Sequence, residues 1–192
     1  MPSSSPHQEH PQRTALHAVH VDAGAVMTDF AGWAMPLRYT SQIEEHHAVR
    51  RRAGLFDLSH MAQIEVSGPA AGRALDHALV SRCSGIRVGR ARYTMMVAED
   101  GGVLDDLIVY RVAPEGFLVV ANAANRDVVR EELTVRSGTG GPDDDVAVED
   151  RTEHRALLAL QGPRSADVLS RLTDADLGAL RYYAIVSTAV AG

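Results

Sequence analysis

Between Arg92 and Ala121 the apolar and polar positions fall into three short runs separated by turn residues. Arg92 to Ala98 reads as a strand, Glu99 to Gly102 as a hairpin turn, and Leu104 to Arg111 as the returning strand. Asp and Gly tolerate the positive φ of a tight hairpin, and Val, Leu and Ile suit a pleated, half-buried surface. Pro114-Glu115-Gly116 makes the next turn, and Phe117 to Ala121 a third strand that ends at Asn122. Two adjacent carboxylates, Asp105 and Asp106, interrupt the second strand. Neighbouring strand residues face opposite sides, so one of them turns toward the core or a cleft and the other away. A carboxylate pointing inward must be hydrogen-bonded, protonated or in use. We expect use, and alternation alone leaves open which aspartate it is.

The same patterning divides the rest of the chain. Thr14 to Ala23 predicts a short helix capped by Thr14 and stopped by Gly24. Ala25 to Tyr39 shows no clear period, yet holds Trp33, Phe30, two Met and Pro36. It is expected to be an irregular apolar loop, either plugging the core or walling a pocket. Ser41-Gln42-Ile43-Glu44 is a capping box, with a helix from there to about Ala53 and Gly54 as its stop. Leu55 to Met61 reads as a turn, Ala62 to Val66 as a strand, and Ser67-Gly68-Pro69 as the start of a helix to about Val80. Leu75, Ala78 and Leu79 mark that helix's buried side. A Gly-punctuated loop covers Ser84 to Arg90, and a helix capped by Asn125 runs to about Thr134. Ser137 to Asp145 is a Gly/Asp-rich surface loop, Val146 to Val148 a short strand, and Arg155 to Leu160 a better one. A helix from Pro163 or Arg164 to about Leu172 follows, and Leu180 to Val186 opens another apolar, β-like segment. Antiparallel hairpins mixed with helices predict an α+β fold, antiparallel sheets with packed helices.

Composition narrows the function classes. The 192 residues are 45% hydrophobic and 23% charged, with a net charge of −6 spread along the chain. That is an ordinary globular balance with no footprint for nucleic acid or an anionic membrane. One cysteine, Cys83, excludes an internal disulfide and a Cys-cluster metal site. It fits a reducing compartment, and a cytoplasmic location is expected. No apolar run approaches the roughly 20 residues of a membrane helix. Residues 1–13 are Ser-, Pro- and His-rich, without the apolar stretch of a secretory signal, and are expected to be a disordered lead-in. His17 and His20 lie three apart without an acidic or Cys partner nearby, and Glu44-Glu45-His46-His47 lacks the spacing of a zinc protease. No metal is expected. Asp57, Ser59 and His60 invite a triad reading, but their closeness in sequence and the lack of a G-x-S-x-G elbow argue for a structural turn that orients Met61. The glycines of Ser137 to Gly141 are followed by acids and no GK[ST], so a phosphate cradle is not expected.

Three runs carry a family likeness: Asp29 to Pro36 (DFAGWAMP), Gln42 to Arg50 continued by Phe56 to Met61 (QIEEHHAVR, FDLSHM), and Gly101 to Tyr110 (GGVLDDLIVY). In this order they resemble the T-protein family of the glycine cleavage system, tetrahydrofolate-dependent aminomethyltransferases. Leu158 to Pro163 resembles the same family further on. The resemblance implies a cloverleaf-like folate-binding fold, of which residues 14–192 are the N-terminal region, incomplete at its C-terminus. It implies transfer of the methylene carbon of an aminomethyl group, presented on the lipoyl arm of a partner H-protein, to tetrahydrofolate with release of ammonia. It carries the catalytic aspartate onto Asp106, making Asp106 the inward member of the pair. It carries folate-facing positions onto Met61, Tyr93, Ile108, Tyr110, Val120 and Asn122. Tyr93 and Tyr110 are both expected to flank Asp106. The family's Gly-Tyr-Thr-Gly-Glu segment and downstream arginines have no counterpart in residues 1–192, so one side of the pocket is expected here. Two other functions stay open: a folate-binding module without catalysis, and a sarcosine- or dimethylglycine-type demethylase. Demethylases of that type are usually fused to a flavin domain, and no G-x-G-x-x-G is present.

Overall fold

The computed structural model describes residues 11–138 and 146–192. In chain order the strands are β1 (Gln12–Arg13), β2 (Val26–Phe30), β3 (Trp33–Arg38), β4 (Gly54–Asp57), β5 (Ala62–Ser67), β6 (Arg90–Val97), β7 (Val103–Ala113), β8 (Gly116–Ala121), β9 (Ala147–Asp150) and β10 (Leu158–Gln161). The α-helices are α1 (His17–Asp22), α2 (Gln42–Arg51), α3 (Ala71–Ala78), α4 (Arg126–Arg136) and α5 (Ser165–Leu169). The fold is α+β with mainly antiparallel sheets, as the patterning predicts. The chain forms two compact units, one from the residues up to His60 with Arg155–Ser165, the other from Met61–His154 with Ala166–Gly192.

In the first unit, the stretch expected to be an irregular loop is a hairpin, β2 on β3. Its two-residue turn is Ala31-Gly32, at φ 53 and 80, the left-handed pair that matches the twist of the flanking strands. The apolar load goes inward: Trp33, Ala34 and Met35 are buried, which settles the choice in favour of a core plug. Gln12 and Arg13, expected in the lead-in, pair in parallel with Trp33 and Ala34. Ser41 caps α2 by accepting the Glu44 N–H at 3.5 Å. The reciprocal half of the box falls to Glu45 rather than Glu44. Its Oε1 accepts the N–H groups of Thr40 at 2.6 Å and Tyr39 at 2.8 Å. The backbone hydrogen bond from Thr40, then that from Tyr39, holds its carboxyl below the usual carboxylate range. Gly54 opens β4, which pairs with β10, so the stretch read as a turn is half strand.

The second unit holds a five-stranded antiparallel sheet, ordered β6-β7-β8-β5-β9. The predicted meander is its first three strands. One face packs with α3 and α4 around Ile64, Val66, Leu75, Met96, Leu107, Val109, Phe117, Val119, Val129 and Leu133. Leu75, Ala78 and Leu79 are buried as α3's period predicts. That helix begins later than expected because Ser67 still pairs with Gly116 and Ala147 in the sheet. The C-terminal apolar segment forms no strand beyond a single bridge, Ala184 with Arg90. Tyr183 sits there at φ 58, which breaks an extended run. The expected surface loop lies, from residue 139 to 145, outside the described residues. No helix among the described residues is long and apolar enough to cross a membrane.

Candidate functional site

Strand register decides where the two aspartates point. On β7, Asp105 lies opposite Met96 and Asp106 opposite Met95. Met96, Leu107 and Val109 are core residues, so Asp105 shares the core face and is 3% exposed. Asp106 shares the other face with Ile108 and Tyr110. The inward carboxylate is therefore Asp105, contrary to the expectation that the inward member is Asp106. Its burial is explained by hydrogen bonds. Its Oδ2 accepts the Asn122 backbone N–H at 2.9 Å, and its Oδ1 accepts Asn122 Nδ2 at 2.9 Å and Asn125 Nδ2 at 2.6 Å. Asn125 spends its side chain here rather than as the expected cap of α4, whose N-cap has no side-chain hydrogen bond.

The open face is built in rows across the sheet. Tyr93, Ile108, Val120 and Gln63 are register neighbours on β6, β7, β8 and β5. Tyr110 lies in the next row with Ala91 and Leu118. Tyr93 is 45% exposed, Ile108 and Tyr110 are half-buried and Val120 is buried. Asp106 is exposed, and its carboxylate is held at both oxygens. Tyr93 Oη donates to Oδ2 at 3.0 Å and Asn122 Nδ2 reaches Oδ1 at 3.3 Å. The hydrogen bond to Asp106 is the largest cause raising the Tyr93 hydroxyl above the ordinary phenol value, so it remains a donor. Burial does the same to Tyr110. Tyr110 does not flank Asp106, because it lies four positions along the strand, about 13 Å at 3.3 Å per residue. Met61 directly precedes β5, where Ala62 pairs with Ala121, and it is half-buried near Asn122's end of the sheet.

The first unit answers the triad question. Asp57 Oδ2 accepts from Thr14 Oγ1 at 2.7 Å and contacts His20 Nε2 at 2.9 Å, while Oδ1 accepts the Ser59 N–H at 2.9 Å. His20 Nδ1 meets the Tyr39 hydroxyl at 2.7 Å. The Ser59 hydroxyl accepts the Leu157 N–H at 3.0 Å, and His60 is buried edge-on against Phe30 at 5.4 Å. The Ser59 hydroxyl thus meets a backbone N–H and His60 an aromatic ring, with His60 Nδ1 left without a hydrogen-bond partner, and the cluster is structural. It also explains why Thr14 fails to cap α1. Burial pushes the Asp57 carboxyl up, but hydrogen bonds from Ser59, His20 and Thr14 outweigh it and hold the group below the usual range. A depressed folded-state pKa adds stability above the unfolded value, about 3.9, and that stability is lost as pH falls through the folded one. Asp57→Asn is therefore expected to unfold at a lower urea concentration than wild type at pH 7. The gap should narrow below about pH 4, as urea midpoints across pH would show.

Known proteins share this architecture. The family model of the GCVT N-terminal domain matches residues 16–192. The chain belongs to the GCVT N-terminal domain family. An aminomethyltransferase of Streptomyces avermitilis is 55% identical over 182 residues, 95% of this chain and 48% of that protein. One from Thermus thermophilus is 43% identical over 183 residues, 94% of this chain and 51% of that protein. The crystal structure of glycine cleavage system aminomethyltransferase T from Bartonella henselae superposes with a TM-score of 0.82 at 38% identity. It covers 90% of this chain and 46% of that one. A heterotetrameric sarcosine oxidase from Corynebacterium, at 21% identity and a TM-score of 0.53, shares the fold. The chain spans about half the length of the curated relatives it matches.

Within this GCVT N-terminal domain, sequence reasoning missed Gln63 and the work of Asn125. Gln63 is 3% exposed and its Nε2 is buried without a hydrogen-bond partner. The signal was present: Gln63 lies between Ala62 and Ile64, which alternation sends to the core, so it joins Val120's face. Among the described residues no group of three or more His, Cys, Asp or Glu is placed to hold a metal ion.

Proposed function

We propose that this chain supplies the catalytic carboxylate and one folate-facing wall of a glycine cleavage aminomethyltransferase. In that reaction an aminomethyl carbon, held between sulfur and nitrogen on the lipoyl arm of H-protein, loses both bonds. It gains bonds to N5 and N10 of tetrahydrofolate. The two N–H protons displaced from folate pass to the sulfur and the amine, leaving thiol and ammonia. Tetrahydrofolate supplies the acceptor nitrogens.

The residues present suit such a co-substrate. Ile108 and Val120 give a flat apolar floor, and the exposed Asp106 carboxylate offers an acceptor beside it. Gln63 adds a buried donor without a partner. A floor with few, placed polar groups is the pattern of sites for flat heterocycles. An ionised Asp106 can accept a hydrogen bond from a folate N–H and stabilise positive charge growing at the transferred carbon. Met61, Tyr93, Tyr110 and Asn122 complete the proposed wall, Tyr93 and Asn122 by aiming Asp106. The observation that carries the reading is Asp106's placement, an exposed carboxylate held at both oxygens on the sheet face that Ile108 and Val120 share.

The test is transfer of a ¹³C-labelled aminomethyl carbon from H-protein to tetrahydrofolate, followed by NMR. The label should move to the folate. Label that stays on H-protein while tetrahydrofolate binds would favour the non-catalytic folate-binding module. Tyr93→Phe removes one of Asp106's donors from an exposed position. It is expected to lower kcat by about tenfold, the worth of one charge-assisted hydrogen bond, with an unchanged melting temperature.

A further inference from the structure

We infer that Asp105, the buried partner of the pair, is a positioning residue that sets which end of the Asn122 amide faces Asp106. The inference rests on the reading of Asp106 as the catalytic carboxylate. Its geometry is independent of that reading.

Asn122 Nδ2 has two hydrogens and three acceptors within reach. These are Asp105 Oδ1 at 2.9 Å, the Asp106 carbonyl oxygen at 3.0 Å and Asp106 Oδ1 at 3.3 Å. With one hydrogen on Asp105, the other is shared between the two Asp106 oxygens. The terminal torsion of Asn is broad and roughly two-fold, so Asn122's own rotamer does not choose between the amide and its flipped form. The flipped form would set the amide oxygen against the Asp106 carboxylate, oxygen facing oxygen. Both Asp105 oxygens accept from N–H donors here, and Asp105 rejects the flip because the flip would aim that same amide oxygen at it as well.

Asp105 is itself fixed. Its Oδ2 holds the Asn122 backbone N–H, and its Oδ1 also takes Asn125 Nδ2. It therefore pins both the place of Asn122 at the end of β8 and the orientation of its side chain. Asn122 thus bridges an aspartate on the core face and one on the open face. The apparent redundancy of two adjacent carboxylates is resolved. One is placed for contact with substrate, and the other orders the donor that holds it.

Asp105→Asn, measured in the full chain with aminomethylated H-protein and tetrahydrofolate, is the direct test. An amide at 105 can present a donor to Asn122 and so lose the choice of orientation. The expected result is a fall in kcat of about tenfold to a hundredfold, the scale of a small misplacement of a reacting group. KM for tetrahydrofolate should stay within about threefold, on the same argument that placement rather than binding is lost. The double variant Asp105→Asn/Asp106→Asn should be no slower than Asp106→Asn alone, since Asp105 acts only through Asp106. Additive losses, or a KM that rises with kcat unchanged, would overturn the assignment. If Asp105→Asn lacks a cooperative melt, wild-type NMR decides. Scalar couplings across hydrogen bonds should link Asn122 Nδ2 to the side-chain carboxyl of Asp105 and to Asp106. A missing coupling to either aspartate would overturn the assignment. Should Asp106→Asn leave turnover intact while both couplings are seen, the catalytic reading fails and the amide geometry stands.

Discussion

Asp106→Asn is expected to lower turnover of aminomethylated H-protein by about a hundredfold to ten thousandfold, the range of a lost general base or acid. The amide keeps the shape of the carboxylate but loses its charge and one acceptor. Tyr93 Oη and Asn122 Nδ2 both donate to Asp106, and an amide presents one of them with a competing donor. The loss should fall on kcat, because charge at the transferred carbon develops only as the bonds change. Tetrahydrofolate affinity should hold within a few-fold, since the proposed floor of Ile108 and Val120 is unchanged. The fold should be untouched, because Asp106 is exposed. Steady-state kinetics with a calorimetric titration of tetrahydrofolate separates the two. A variant with full kcat would remove Asp106 from the chemistry.

Phe117→Ala is expected to cost about 3–5 kcal/mol of stability, the range for emptying a large aromatic site in a packed core. Phe117 is 1% exposed and lies on β8, paired with Val66 on β5 and Arg111 on β7. A Cβ placed at Gly72 on α3 would stand 3.5 Å from its ring, so the ring packs directly under that helix and its loss leaves a void there. The Arg111 guanidinium lies 5.2 Å from the ring centroid, with its nitrogens on the carbonyls of Ser84, Ile86 and Pro114. Losing the ring loosens that clip as well. Against a typical total of 5–15 kcal/mol, the change would leave little margin. The urea midpoint should drop with the slope unchanged. A midpoint within error of wild type would mean that this sheet face is not the core.

Much of the fold was legible where a local signal and the tertiary pattern agree. The meander from Arg90 to Ala121 combines strong turn residues with β-branched runs, and α3's buried positions follow its period. The β2–β3 hairpin was not legible. Its turn, Ala31-Gly32, is weaker than Asn-Gly, and Trp33, Ala34 and Met35 are buried in succession, which erases the alternation that marks a strand. Caps failed where a side chain had a better partner at long range. Thr14 goes to Asp57 and Asn125 to Asp105, separations of 43 and 20 residues that no local motif records.

The candidate site shows the same division. Alternation separated Asp105 from Asp106, and the predicted hairpin put both Tyr93 and Tyr110 beside the latter, of which only Tyr93 bonds to it. Which aspartate turns inward depends on the face that α3 and α4 cover, a fact of tertiary packing. The inward carboxylate proved to be Asp105, buried and fully taken up by protein hydrogen bonds, and the candidate for use the exposed Asp106. Burial and use are separate outcomes for a strand carboxylate. Gln63 escaped notice because, alternating with Ala62 and Ile64 as Glu65 does, it reads as an ordinary outward polar position; that it is buried is a fact of packing.

The sheet face bearing Asp106 is proposed to be the folate face. Isotope-labelled chain titrated with tetrahydrofolate tests it by chemical shift. Saturable shifts should appear at the Ile108 and Val120 methyls, the Tyr93 ring and the Asn122 side-chain amide, with the Leu107 and Val109 methyls on the opposite face little changed. Saturable binding whose shifts fall in the first unit, or no saturable shift at Ile108 and Val120, would contradict it.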